Sequence, residues 1–443
     1  MSPRARFMAF NIVVAFAFTV MADPVSSVAY ALEAALHALD GDLALLVPTM
    51  ALVIATIALV AVSYHELIRR FPGGGGSAEG LAAAFGEGWA FLPAGALLVD
   101  FTLTIAVSCA AAASALIAYA PQLAGARTAI AVGLAALVAF GSVLGHRARI
   151  VFATATLGFL AVAALIIVRG AAGGPVAGHA PLVGGGDMPL AVALLAMPLG
   201  MALATGVEAP SNAIAQLGRL DDYARRRIGQ LTLWLMVAVV GTLTIALALL
   251  AVLLDVGLPQ RDSTMLADVA RVVTGGDGSF AAFQALSALL LLAAAASSYL
   301  AGSGLLAALA RHGDEGLLPR RFAFVNHYDA PPWGVGGLAL AAAVLIVVSG
   351  GRDQEIVQYY AVAVFAGFLG ATVACARLSL RDGRHVMFAA NASGVLVIAF
   401  VLALNLRRLD SLLALVASAL VSLYLWRRWV ARGRPAGIAA SLR

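Results

Sequence analysis

Apolar residues in this chain come in long unbroken runs rather than alternating. Runs at roughly 8–38, 43–68, 89–120, 128–145, 149–168 and 188–217, then 229–255, 278–310, 333–350, 355–376, 385–406 and 411–430, suit bilayer crossing. A hydrocarbon core takes about 20 residues of α-helix per crossing. The pattern therefore predicts an all-α polytopic membrane protein of about twelve transmembrane helices. The interruptions are short: a glycine-rich outer loop near 170–187 and an inner loop near 311–332 are the longest, and neither holds a soluble domain. Residues 1–434 read as one transmembrane domain with a short cytoplasmic tail at 435–443; the dozen or so residues after the last span, rich in arginine and alanine, are expected to be solvated. The first run follows Arg4 and Arg6 as a secretory signal would, but it continues past position 30 without a cleavage region, so it reads as the first span.

Composition sharpens this picture. Hydrophobic residues make up 62% of the chain and charged residues only 12%, about half the share in a soluble domain. The formal charge is +5, yet every basic residue is arginine and the arginines sit between apolar runs, which argues against a nucleic-acid surface. Without lysine, the run Gly73 to Gly76 followed by Ser77 cannot be a Walker-type phosphate loop. Cys109 and Cys375 both fall inside spans, where neither a disulfide nor a metal quartet is expected. The seven histidines form no metal-ligand pair within a span, and no Ser, His and Asp set suggests hydrolysis, so neither an enzyme nor a cofactor is expected.

Twelve spans with both termini inside would put Arg69, Arg70, Arg147, Arg149, Arg219, Arg225 to Arg227, Arg311, Arg320, Arg321, Arg377, Arg381 and Arg384 on the cytoplasmic face. Asp40, Asp42, Asp255, Asp262, Asp353 and Glu355 would lie in outer loops, the asymmetry expected of a bacterial-type inner membrane. A multi-pass cell-membrane location follows. The lipid-facing surfaces carry no decisive dimer motif, so a homodimer stays open.

Three carboxylates stand where lipid should be: Asp23 in the first span, Asp100 in the third and Glu208 in the sixth. On insertion scales each costs at least about 2.5 to 3.5 kcal/mol at bilayer depth, so each needs a partner or a purpose. Pro24, Ser26 and Ser27 follow Asp23, and Pro198, Gly200 and the run Thr205 to Pro210 disturb the sixth span, so both helices are expected to break. Broken helices at positions one and six suggest an inverted five-helix repeat, over roughly 8–168 and 188–376, with two extra helices at 385–430. Asp100, Thr104 and Ser108 recur every four residues and share one helix face. Glu208 has two readings, a neutral acid bonded to neighbouring helices or a proton carrier. Glu33 and Glu66, near span ends, are expected to reach interfacial water. Ser297 and Ser298 either serve a second cation or pack as small residues.

Several segments together resemble the amino acid, polyamine and organocation transporter superfamily. They are Phe71-Pro72-Gly73-Gly74-Gly75-Gly76 with Phe85-Gly86, the Thr205-Gly206-Val207-Glu208-Ala209 break, and the inner stretch from Ala310 to Phe322. Within it, Asp23-Pro24-Val25-Ser26-Ser27-Val28-Ala29-Tyr30 is most similar to the KUP and KimA type of potassium importer. The resemblance implies a LeuT-like fold. It also implies a potassium site formed by Asp23, Tyr30, Asp100, Thr104, Ser108 and Thr205, with Tyr360, or Tyr359 in its place, approaching from helix ten. Asp23, Asp100, Thr104 and Thr205 would be direct ligands of the ion. Importers of that type typically continue into a long cytoplasmic tail, whereas this sequence stops shortly after Trp429, which puts tail-mediated dimerisation and nucleotide control in doubt.

Charge favours a cation over an amino acid. Amino acid carriers of the superfamily receive a carboxylate on glycine-freed amides of helix one, but positions 19 to 30 hold no glycine, and Asp23 would repel a carboxylate. The expectation is a secondary active transporter for proton-coupled potassium uptake by alternating access. Potassium ion and proton are then the transported species, and Glu208 is the coupling residue. The alternative is a proton-coupled amino acid or cationic amine permease.

Overall fold

The structure, a computed structural model, describes residues 16–144, 149–173, 189–218, 220–260, 262–313 and 315–441. Seventeen α-helices carry the described residues. The first half holds α1 (Ala22–Ser26), α2 (Val28–Ala38), α3 (Leu46–Arg70), α4 (Gly76–Phe85), α5 (Phe91–Tyr119), α6 (Arg127–Val143), α7 (Arg149–Gly173), α8 (Pro189–Gly200) and α9 (Ala209–Ala213). The second half holds α10 (Asp222–Leu253), α11 (Met265–Thr274), α12 (Gly278–Arg311), α13 (Pro332–Val348), α14 (Asp353–Arg381), α15 (His385–Asn405), α16 (Leu409–Ala431) and α17 (Ile438–Ser441). Among the described residues, ten helices are long and apolar enough to cross a membrane. The shorter α13 and the divided first helix, α1 with α2, complete the twelve runs read from the sequence.

Burial sorts the spans. In the most apolar window of α5, 83% of residues are buried, against 17% for the span that ends in α6 and 22% for α15 and α16. The helix carrying Asp100 is thus the axis of the bundle, and α6, α15 and α16 present their apolar side chains outward, as lipid-facing helices must. α5 packs most extensively on α12 and α14. Alanine runs along these contacts, such as Ala110 to Ala113 on α5 and Ala293 to Ala295 on α12, let backbones approach closely where lipid gives no hydrophobic drive.

The structure corrects several expectations about polar groups. Glu66 is wholly buried rather than solvated: Arg69 and Arg70 reach its Oε1 at 2.6 and 2.7 Å, and Arg384 reaches it at 2.5 Å from beyond α14. Glu33 is also buried, and its Oε2 accepts the Met265 amide at 2.9 Å, capping the start of α11. Asp353, expected in an open loop, is buried at the first residue of α14, where Ser114 Oγ donates to its Oδ1 at 2.7 Å. Each is held by a partner far away in sequence.

The tail is not simply solvated. Ile438 is fully buried with Ala439 against Phe91, Ala94, Leu309 and Leu317. The amides of Gly437 and Ile438 donate to the Glu87 carboxylate at 2.8 and 3.4 Å, and His312 meets Ser441 Oγ at 2.8 Å. Isoleucine after a glycine turn buries apolar area that arginine neighbours do not outweigh.

Candidate functional site

The site is built on the two interrupted helices, and they are interrupted differently. Helix one turns at Ser27, between α1 and α2, yet Ser27 keeps right-handed dihedrals of −64° and −23°. Pro24 removes one backbone donor, and the serines take up carbonyls nearby: Ser26 Oγ donates to Asp23 O at 2.7 Å, and Ser27 Oγ lies 2.7 Å from Pro24 O and 3.1 Å from Leu203 O. The last contact ties helix one to helix six.

Helix six leaves the helical path altogether. α8 continues as a short 3-10 turn at Met201–Ala204, Thr205 becomes extended at −52° and 135°, and Gly206 takes a φ of 74° before α9 begins. A Cβ on Gly206 would lie 2.7 Å from Pro24 Cδ and 3.0 Å from Asp23 Oδ2. Glycine therefore serves twice here: it supplies the left-handed turn, and it lets the break of helix six press against the Asp23 side chain.

The carboxylates converge. Asp23, Asp100 and Glu208, from helices one, three and six, lie within electrostatic range of one another. Asp23 Oδ1 is buried without a hydrogen-bond partner, and among the described residues no ion pair reaches Asp23 or Glu208. Tyr30 is fully buried, and its hydroxyl faces the Thr205 side chain outside hydrogen-bond geometry. Thr205 donates instead to Ala202 O at 2.7 Å. Thr104 and Ser108 are both fully buried on the Asp100 face of α5, and Ser108 Oγ has no hydrogen-bond partner, so it is not spent on its own preceding turn. Of the residues singled out in the sequence, Asp23, Tyr30, Asp100, Thr205 and Glu208 are brought together by these contacts. Thr104 and Ser108 extend the same face towards the C-terminal end of α5.

Tyr360 lies in α14, but its side chain is outside the described residues. Tyr359 is turned towards Asp410 and Glu355, away from the central carboxyls. Ser297 donates to Ala294 O at 2.8 Å within its own helix.

One side chain at this candidate site is not singled out by the sequence. Tyr64 of α3 is fully buried, and its hydroxyl donates to Glu208 Oε2 at 3.1 Å. A tyrosine in an apolar helix reads as core packing, and Phe368 does pack edge-on against its ring at 6.0 Å. Only its polar end, placed by the fold, distinguishes it.

Chemically, the arrangement gathers carboxyl groups and hydroxyl oxygens in a helix-lined interior. A hard monovalent cation takes such ligands, whereas a substrate carboxylate would meet like charge.

Comparison with known proteins agrees with the architecture. The family model described as amino acid permease matches residues 5–419. The chain is 29% identical over 319 residues to the potassium transporter KimA of Bacillus subtilis (strain 168), across 69% of this chain and 51% of that protein. The chain thus spans about half the length of that relative.

Proposed function

From the premise that this chain belongs to the amino acid permease family, we propose that it imports potassium across the cytoplasmic membrane, coupled to protons, by alternating access. The observation that carries this reading is the Asp23 carboxylate, pressed against the Gly206 break with Asp100 and Glu208 in electrostatic range. A dehydrated cation supplies the counter-charge, and the hydroxyls of Tyr30, Thr104, Ser108 and Thr205 supply oxygens. The relative's name, potassium transporter, points the same way.

Energy comes from two gradients. A membrane potential drives each inward charge by about 2.3 kcal/mol per 100 mV, and an entering proton adds its own gradient. Glu208 is the coupling carboxyl: it stands beside the ion ligands without an arginine to fix its charge, and Tyr64 orients it. Both termini face the cytoplasm in this reading, which puts the arginine cluster around Glu66 on the inner side. The family description favours a second reading, an amino acid or cationic amine permease, in which Asp23 would bind an ammonium group.

The test is growth of a potassium-transport-deficient cell on limiting potassium, with the parent chain and with Asp100→Asn. The parent chain should rescue growth, and Asp100→Asn should reach the membrane folded but fail. Rescue by Asp100→Asn would remove the site. Failure of both at full expression would favour the amine or amino acid reading.

A further inference from the structure

The oxygen-bearing face of α5 does not end at Ser108. Seven residues on, Ala115 returns to the same face within about 20°, and about 10 Å farther along the helix. There Ala111 and Ala115 line a small cavity with Ala29 of α2, Gln284 and Ser287 of α12, and Asp353 of α14. Its volume of about 10 Å³ admits one water-sized particle. A dehydrated potassium or ammonium ion is of that size.

The polar groups of this cavity do not complete one another. Ser287 is only 5% exposed, and its Oγ has no hydrogen-bond partner. Gln284 spends its amide nitrogen on Ala115 O at 2.9 Å, and a carbonyl oxygen remains on the same group. Asp353 Oδ1 accepts from Ser114 at 2.7 Å, and Oδ2 has Gln354 Nε2 at 3.4 Å. Arg127 donates to Ser114 at 2.8 Å, Ser114 donates on to this carboxylate, and Arg127 lies in electrostatic range of Asp353. Asp353 is also in electrostatic range of both Tyr30 and Glu33, so the cavity shares a field with the central site.

We propose that Asp353, Gln284 and Ser287 form a second, outer station for a monovalent cation, through which the ion passes before it reaches Asp23 and Asp100. The inference rests on the cation-transport reading. A buried hydroxyl without a partner is costly in a helix interior unless something polar visits it. The Asp353 carboxyl group, which lines the same cavity, gives that visitor an acidic oxygen to meet. The station divides the dehydrated path, since along α5 Ala111 and Ala115 lie about three to four helical turns beyond Asp100.

The experiment measures rubidium binding and uptake by the full-length protein. In purified Asp23→Asn protein, rubidium chloride should still raise the unfolding temperature relative to choline chloride, and adding Ser287→Val should abolish that rise. In vesicles, Ser287→Val alone should raise the external KM for rubidium roughly tenfold, the factor that about 1.4 kcal/mol of lost binding produces. Ser287→Thr, which keeps the oxygen, should restore the KM, and Gln284→Leu stands in if the valine variant does not fold. An unchanged KM in Ser287→Val or Gln284→Leu, with Asp23→Asn inactive, overturns the outer station and leaves the central site standing. Full uptake by Asp23→Asn overturns the central site instead.

Discussion

Two buried carboxylates in this protein, Glu66 and Asp23, solve the same physical problem in opposite ways. Glu66 sits near the C-terminal end of α3 with three arginines on its oxygens, and Arg70 passes on to Asp382 at 2.6 Å. Its charge is neutralised permanently by the chain, in a clamp that joins α3 to the turn after α14. Asp23 has no arginine at all among the described residues, keeps one oxygen without a hydrogen bond, and faces two further carboxylates. Permanent neutralisation makes a strut. On the proposed reading, neutralisation of Asp23 is left to a mobile ion, because only a partner that leaves can be transported.

The largest effect should come from removing the charge that has no resident partner. Asp23→Asn should reduce cation uptake to background with little loss of thermal stability, since no ion pair is broken; uptake and unfolding temperature of the same preparation check both halves. Glu66→Gln should do the reverse. Taking one member from a buried ion cluster costs about 3 kcal/mol, the lower end of its range here because Arg69 and Arg384 keep solvent contact. A lowered melting temperature with an unchanged KM is therefore expected, and a raised KM would move Glu66 into the transport machinery. Smaller still, Gly206→Ala should cost about 1 to 2 kcal/mol through its positive φ and the crowding of Pro24, and should slow uptake without abolishing it. Kinetics at saturating rubidium measure that loss, and parental rates would mean the break does not press on Asp23.

Much of this contrast was legible in the sequence, but not all. Hydropathy located the spans closely: the run at 278–310 is α12 at Gly278–Arg311, and the run at 385–406 is α15 at His385–Asn405. A lone carboxylate followed by proline marked Asp23, and a glycine beside Glu208 marked the second break, because both violate what a lipid-embedded helix tolerates. Glu33, Glu66 and Asp353 were misread as solvated because their partners, the Met265 amide, Arg384 and Ser114, lie at sequence distances no periodicity reveals. The short helices α4, α11 and α17 escaped notice because long apolar runs mark spans of about 20 residues, and these helices have ten or fewer. Adjacent tyrosines 359 and 360 differ by about 100° around a helix, so the sequence could not say which one faces inward.

The account stands on a mobile cation as the counter-charge of the central carboxylates. Its most direct test is uptake by the purified protein in vesicles, with a panel of labelled monovalent cations and amino acids and with internal pH followed in the same vesicles. Potassium or rubidium should accumulate with acidification of the interior, and no amino acid should compete. Accumulation of an amino acid with no movement of potassium or rubidium would contradict the account.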